Sequence, residues 1–318
     1  MTETMIHLSG VTRLFGGVRA LDRIDLEVHR GEVMGFLGPN GAGKTTTMRI
    51  LSGLLAPSAG SVAVAGVDVL ENPVEARARI GFLPENPPIY GEMTVREYLT
   101  YLATLRRVPG GKVRAAVDRA MERCGLTAVT DRLLRNLSKG YKQRAGIAQA
   151  IVHGPDVVVL DEPTVGLDPI QIREIRALIR ELGGEHSVLL STHILPEVRM
   201  TCQRVAVIHQ GRIVADDTLD GLENRAHGKS IHYLRWQHPP TPDTLRQIPG
   251  VAQATPKEEG WLITANPESD PIPELVRLSA ASGWDLRELT PAGGSLEEIF
   301  LQLTTREERP EEGKEAAA

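Results

Sequence analysis

The stretch VMGFLGPNGAGKTT, residues 33–46, decides the fold. An apolar run enters a glycine-rich turn, and a helix-forming segment leaves it. Gly38 to Thr45 fits the pattern G-x-x-x-x-G-K-[ST] without a mismatch, between the expected strand and the expected helix. Glycines let the backbone wrap a phosphate chain with its N–H groups, and the helix start adds the favourable end of its dipole. The expected phosphate-binding residues are Gly38, Pro39, Asn40, Gly41, Ala42, Gly43, Lys44, Thr45 and Thr46. Lys44 is expected to reach the outer phosphates, and Thr45 to offer its hydroxyl to Mg²⁺.

Outward from this loop, strands alternate with helices. Residues 5–37 read as strands with turns, and a helix is expected from Lys44 to about Leu55, ended by APSAG. GSVAVAG and RIGFLPE read as strands. SVLLST and RVAVIH read as later strands, with helices after Pro169 and from about Leu195. VVVL at 157–160 is wholly apolar, as a buried parallel strand should be. The alternation argues an α/β fold, a largely parallel sheet covered on both faces.

That apolar strand ends in Asp161 and Glu162. In an open α/β sheet, ligands bind at the carboxyl ends of the strands. Neighbouring residues there point different ways, so one carboxylate can serve a metal while the other faces a water. Asp161 is assigned to Mg²⁺, through its water shell, and Glu162 to polarising a hydrolytic water. A pair of solvated acids capping a strand is the bland alternative, and the phosphate loop weighs against it.

Composition bounds the rest. The chain has 318 residues, which suggests two domains. A net charge of −5 and the lack of a Lys/Arg stripe argue against a nucleic-acid partner. Two cysteines, Cys124 and Cys202, have no metal-ligand spacing and imply no disulfide framework. No signal peptide is read, and no apolar run approaches the ~18–20 residues that span a bilayer. Any link to a membrane is therefore expected to go through another polypeptide.

Residues of about 86–137 read as mostly helical, with Thr94 and Glu97 set as a capping box. Composition shifts near residue 220. Residues 221–305 read as βαββαβ, the ferredoxin-like pattern, followed by a helix SLEEIFLQLT. The charged tail 306–318 is expected to be disordered.

A second stretch, LSKGYKQR at 137–144, looks like another small phosphate-binding turn at a helix start. With the motifs above, it completes a resemblance to the ATPase subunit of ATP-binding cassette (ABC) transporters, covering about residues 1–220. Gly38–Thr45 resembles the Walker A motif, and Asp161–Glu162 ends a Walker B motif. LSKGYKQR is similar to the family signature, VGLD ending in Asp168 to the D-loop, and His193 in STH to the switch histidine. Phe15 stands where the family carries an aromatic that stacks on adenine. Lys139 and Tyr141 replace the commonest Gly and Gln of the signature, while Ser138 and Gly140 remain. Glu85 replaces the usual glutamine that contacts Mg²⁺ and water; a carboxylate binds Mg²⁺ but cannot donate a hydrogen bond while ionised.

The resemblance implies a P-loop ABC-type cassette: a mostly parallel core sheet, an antiparallel β subdomain and a helical subdomain, with a small α+β C-terminal domain. It implies ATP and Mg²⁺, with catalytic Lys44, Glu162 and His193, metal-binding Thr45, Glu85 and Asp161, and nucleotide contacts from Phe15, Ser138, Gly140 and Asp168. It further implies a homodimer sandwiching two ATPs and an integral membrane permease as partner. The site of action would be the cytoplasmic face of the membrane, and the direction export. A GTPase switch lacks support, since no N-K-x-D sequence occurs. A non-transport cassette ATPase usually carries two cassettes or a coiled-coil insertion. A non-catalytic scaffold would have lost one of Lys44, Asp161, Glu162 or His193.

Overall fold

The computed structural model describes residues 3–226, 231–266 and 269–291. The chain divides into two units, which meet in sequence at Asp217 and Thr218.

The first unit begins with β1 (Thr4–Phe15), β2 (Val18–His29), β3 (Val33–Leu37), α1 (Lys44–Leu51), β4 (Ala59–Val64) and β5 (Val67–Asp68). It continues with α2 (Pro73–Ala78), β6 (Ile80–Leu83), α3 (Val95–Leu105), α4 (Gly110–Arg123), α5 (Lys139–Ile151) and β7 (Val157–Asp161). It closes with α6 (Pro169–Leu182), β8 (Ser187–Thr192), α7 (Leu195–Thr201), β9 (Arg204–His209) and β10 (Arg212–Thr218).

Two sheets result. The first, in order β2-β1-β4-β5, is antiparallel. In β2 every second residue from Ile24 to Val28 is buried, the alternation of a strand with one wet face. The second sheet runs β10-β9-β3-β8-β7-β6, and from β9 to β6 every pairing is parallel. Strands β3, β7 and β8 are buried at every position, as expected of parallel strands covered on both faces. The parallel register carries the site. Leu37 pairs with Thr192 and Asp161 with Ser191, so the segments after β3, β8 and β7 leave one sheet edge side by side.

Helix α1 stops at Leu51, short of the expected Leu55. The Ser52 hydroxyl bonds back to the Met48 carbonyl at 2.8 Å, and Gly53 turns left-handed at φ +69°. Ahead of α3 the capping box forms as expected. Glu97 N donates to the Thr94 hydroxyl, and Thr94 N donates to the Glu97 carboxylate. The span 86–137 also contains α4 and two short 3₁₀ turns, joined by loops.

A half-buried histidine, His153, and a buried one, His186, make this unit acid-sensitive. Burial, reinforced by the charge of Arg106, pushes the His153 pKa down from 6.5 to about 4. Burial also lowers that of His186. The unfolded chain therefore binds these protons at a higher pH than the folded chain. Their stabilising effect is complete above about pH 6.5 and is lost as pH falls toward 4. Thermal unfolding should show a loss on the order of 3 kcal/mol from His153 across that window, and His153→Asn should flatten the profile.

The second unit contains α8 (Leu219–Ala226), β11 (Ile231–Trp236), α9 (Pro242–Arg246), β12 (Val251–Lys257), β13 (Gly260–Ala265), α10 (Ile272–Ala281) and β14 (Leu286–Pro291). Its sheet has the order β12-β13-β11-β14 with antiparallel pairings. Leu234, Trp236, Leu245, Ile263 and Leu275 form its core. Trp236 meets Trp284 edge-on at 6.1 Å, and its indole N–H donates to the Ser279 hydroxyl at 2.8 Å. The expected helix SLEEIFLQLT and the tail 306–318 lie outside the described residues.

Candidate functional site

The phosphate loop is built on close backbone approach. Gly38 N donates to the Thr192 carbonyl at 3.3 Å, and a Cβ on Gly38 would run into the Ile208 carbonyl oxygen. Gly43 has φ +111°, and a Cβ there would come within 2.6 Å of Leu21 Cδ2. Only glycine fits either place. Helix α1 starts at the next residue, Lys44. The Lys44 side chain is buried, and its ammonium donates to the Gly38 carbonyl at 2.7 Å and the Pro39 carbonyl at 3.1 Å. The same nitrogen stands 3.4 Å from Glu162 Oε1.

The carboxylate pair separates at the end of β7. Asp161 is buried and accepts the Ser191 hydroxyl at 2.5 Å. Glu162 takes φ +48°, a left-handed conformation that costs a non-glycine residue about 1–3 kcal/mol. Its N–H is held by the Ser191 carbonyl at 3.2 Å and hydroxyl at 3.1 Å. Glu162 then lines the cleft and Asp161 does not. The Glu162 carboxylate lies between Lys44 and His193, whose Nδ1 is 2.9 Å from Oε2 and 3.1 Å from Oε1.

The cleft holds about 280 Å³. Asn40, Gly41, Gly43, Lys44, Thr45 and Thr46 line one side; Glu85, Glu162 and His193 line it from β6, β7 and β8. Ala20 and Val165 complete it. Glu85 also lines a neighbouring cavity of about 380 Å³ with Lys139 and Lys142.

Ser138, Gly140 and Asp168 do not line this cleft. Ser138 caps α5, its hydroxyl accepting the Tyr141 amide at 3.4 Å. Asp168 caps α6, accepting the amides of Ile170 at 3.0 Å and Gln171 at 2.9 Å. The two helix starts adjoin. A Cβ on Gly140 would come within 2.6 Å of Gln171, and one on Gly166 would collide with the Lys139 ammonium. Phe15 also stands away from the cleft lining, at the end of β1 with 45% of its surface exposed. The Arg13 guanidinium lies over the ring at 4.5 Å and is anchored on the Ala56 carbonyl at 2.8 Å.

Sequence reasoning missed Ser191, Thr192 and Glu197. Ser and Thr in STH were available beside His193, but the partner of Ser191 is Asp161, thirty residues away across the parallel sheet, and that of Thr192 is Glu197, reached only through the turn into α7. Glu197 reads as an ordinary acid in a first helical turn.

Three comparisons bear on this geometry. Residues 21–165 match the family model described as ABC transporter. The bacitracin transport ATP-binding protein BcrA of Bacillus licheniformis is 33% identical over 95% of this chain and 97% of its own. The daunorubicin resistance ATP-binding protein DrrA2 of Streptomyces coeruleorubidus is 35% identical over 98% of each. The chain belongs to the ABC transporter ATP-binding proteins. The solved structure of cbiO1 from Clostridium perfringens, part of the ABC transporter complex cbiONQ, covers 68% of the ABC ATPase described here. It does so at 29% identity with a TM-score of 0.63. The ABC ATPase binds and hydrolyses ATP, and the phosphate loop, Lys44, Glu162 and His193 form one cleft in its fold. Among its described residues, no helix is long and apolar enough to cross a membrane.

Proposed function

We propose that this ATPase energises a separate membrane permease for export, working as a head-to-tail dimer in which each ATP is shared by two chains. One observation carries the shared site. Ser138, Gly140 and Asp168, residues suited to phosphate and interface contacts, stand outside the cleft formed by the chain's own Lys44, Glu162 and His193. A second copy would bring its α5 N-terminus over that ATP, with Ser138 and the Gly140 backbone meeting the phosphates. The short signature then binds firmly only to a nucleotide already held by the partner's phosphate loop.

Within one chain, residues 38–46 wrap the phosphates and Lys44 meets the outer ones. Phe15, braced by Arg13 on one face, stacks on adenine. The donor set fits Mg²⁺, which takes one or two protein oxygens and completes its shell with phosphates and water. Thr45 and Glu85, which line the cleft, would hold it, with Asp161 behind them acting through its water shell, and it would neutralise charge on the transferring phosphoryl group. Glu162 polarises the attacking water. His193 meets the γ-phosphate through Nε2. With Nδ1 bonded to Glu162, that ring donates from Nε2 only as imidazolium.

Exposed Tyr90, Tyr101, Val74 and Leu105 support a permease-docking face near the helical part. The relatives named for bacitracin transport and daunorubicin resistance support export as the direction. Such work would keep the chain at the cytoplasmic face of a membrane, held through the permease. The cassette would comprise residues of about 1–220. The βαββαβ order beyond it supports a ferredoxin-like accessory module that stabilises the dimer or regulates it.

The test is the concentration dependence of ATPase activity. Specific activity should rise as dilute chains associate, and co-expression with the permease should yield a complex whose ATPase responds to substrate. Full activity in dilute monomers would overturn the shared site.

A further inference from the structure

Glu197 is a buried carboxylate that none of the roles above uses. It stands in the first turn of α7, 1% exposed. Oε1 accepts the Thr164 hydroxyl at 2.5 Å, and Oε2 accepts the Thr192 hydroxyl at 2.7 Å. Arg176 of α6 places a guanidinium nitrogen 3.6 Å from Oε1. A carboxylate removed from water is retained at tolerable free energy only when paired and hydrogen-bonded, and these three groups meet that need.

The two hydroxyls belong to the segments that carry the chemistry. Thr164 follows Glu162 by two residues, and its carbonyl accepts the Leu167 amide at 3.2 Å. Thr192 ends β8 immediately before His193. Its hydroxyl donates to Glu197 and accepts the Ile194 amide at 3.0 Å, so it holds the backbone on both sides of His193. The two ends of one carboxylate therefore join the loop after Glu162 to the strand end before His193.

We propose that Glu197 is a positioning residue for hydrolysis: it fixes the spacing between Glu162 and His193 by bridging Thr164 and Thr192. This rests on the roles proposed above for Glu162 and His193. An amide at position 197 has one acceptor oxygen, and its NH₂ group faces a hydroxyl that needs an acceptor. That hydroxyl must then turn from donor to acceptor and gives up its bond to a carboxylate, so one of the two joints weakens. Displacements of about 1 Å far from the reacting atoms can lower a rate about a hundredfold.

The test uses the full chain under conditions where it dimerises. Glu197→Gln should lower kcat by at least about tenfold while KM for ATP stays within about twofold, since the phosphate loop is untouched. Thr164→Ser, which keeps the hydroxyl, should keep most of the turnover that Thr164→Val loses. Thr192→Ser and Thr192→Val should behave as the same pair. Wild-type kcat in Glu197→Gln, or equal turnover in the serine and valine variants, overturns the proposal. So does a parallel fall of kcat, ATP affinity and thermal midpoint, the mark of a merely structural role. Should Glu197→Gln not fold, the serine–valine comparison at position 164 decides alone. If Glu162→Gln keeps hydrolysing, the underlying site reading fails and this proposal with it; if Glu162→Gln is inactive and Glu197→Gln is not, the positioning role alone fails.

Discussion

Glu162→Gln should lower steady-state ATP turnover by about 10²–10⁴-fold, the range for loss of a general base, while ATP binding persists. The side chain is buried, held in a left-handed turn, and placed between the Lys44 ammonium and the His193 ring. Glutamine matches its shape and can still accept the His193 N–H. It cannot take a proton from water. Removing the negative charge also relieves repulsion toward the terminal phosphate, so ATP affinity should hold or rise. If closure follows ATP binding and opening follows hydrolysis, the variant should accumulate as an ATP-bound dimer. Phosphate release measures the first effect, and size-exclusion chromatography with ATP the second. Normal hydrolysis by this variant would sink the base assignment.

Two inactive variants should restore activity when mixed. Lys44→Ala removes the ammonium proposed to reach the outer phosphates and should abolish most ATP binding. Ser138→Arg places a large cation at the cap of α5 and should block the ATP held by the opposite chain. Each homodimer then has two defective sites. In a mixed dimer both lesions fall in one site, and the other pairs an intact phosphate loop with an intact signature. Random mixing makes half the dimers mixed, so the mixture should recover about a quarter of wild-type turnover. Absence of any recovery, with mixed dimers shown to form, would remove the shared-site model. Recovery also excludes a trivial cause, because neither parent could supply it alone.

The strand–turn–helix at residues 33–51 was legible because it is local. An apolar strand, a run of glycines and a helix start occupy consecutive residues, and their spacing alone prescribes a ring of N–H groups with a lysine behind it. The same holds for the buried strand that leads into Asp161–Glu162, and for the cap at Thr94, where a side chain bonds the amide three residues on. Alternating strands and helices gave the parallel sheet for a similar reason: a strand buried on both faces has no polar positions to hide. The early end of α1 was less legible, since Ser52 and Gly53 act through a back-bond and a backbone torsion rather than through composition.

By itself, then, the sequence determined the order along the chain of the groups proposed to serve ATP. Tertiary structure alone decided which of them meet. Lys44, Glu162 and His193 share a cleft because β3, β8 and β7 are neighbours in parallel register, and no local pattern encodes the pairing of β3 with β8, more than a hundred residues further along the chain. The left-handed turn that sends Glu162 into the cleft and leaves Asp161 against Ser191 depends on those same long-range bonds. Glu197 shows the limit most plainly. One more acid in a helix became a buried bridge only when folding brought Thr164 and Thr192 to its two oxygens, because a hydrogen bond is set by distance in space and not by separation in sequence.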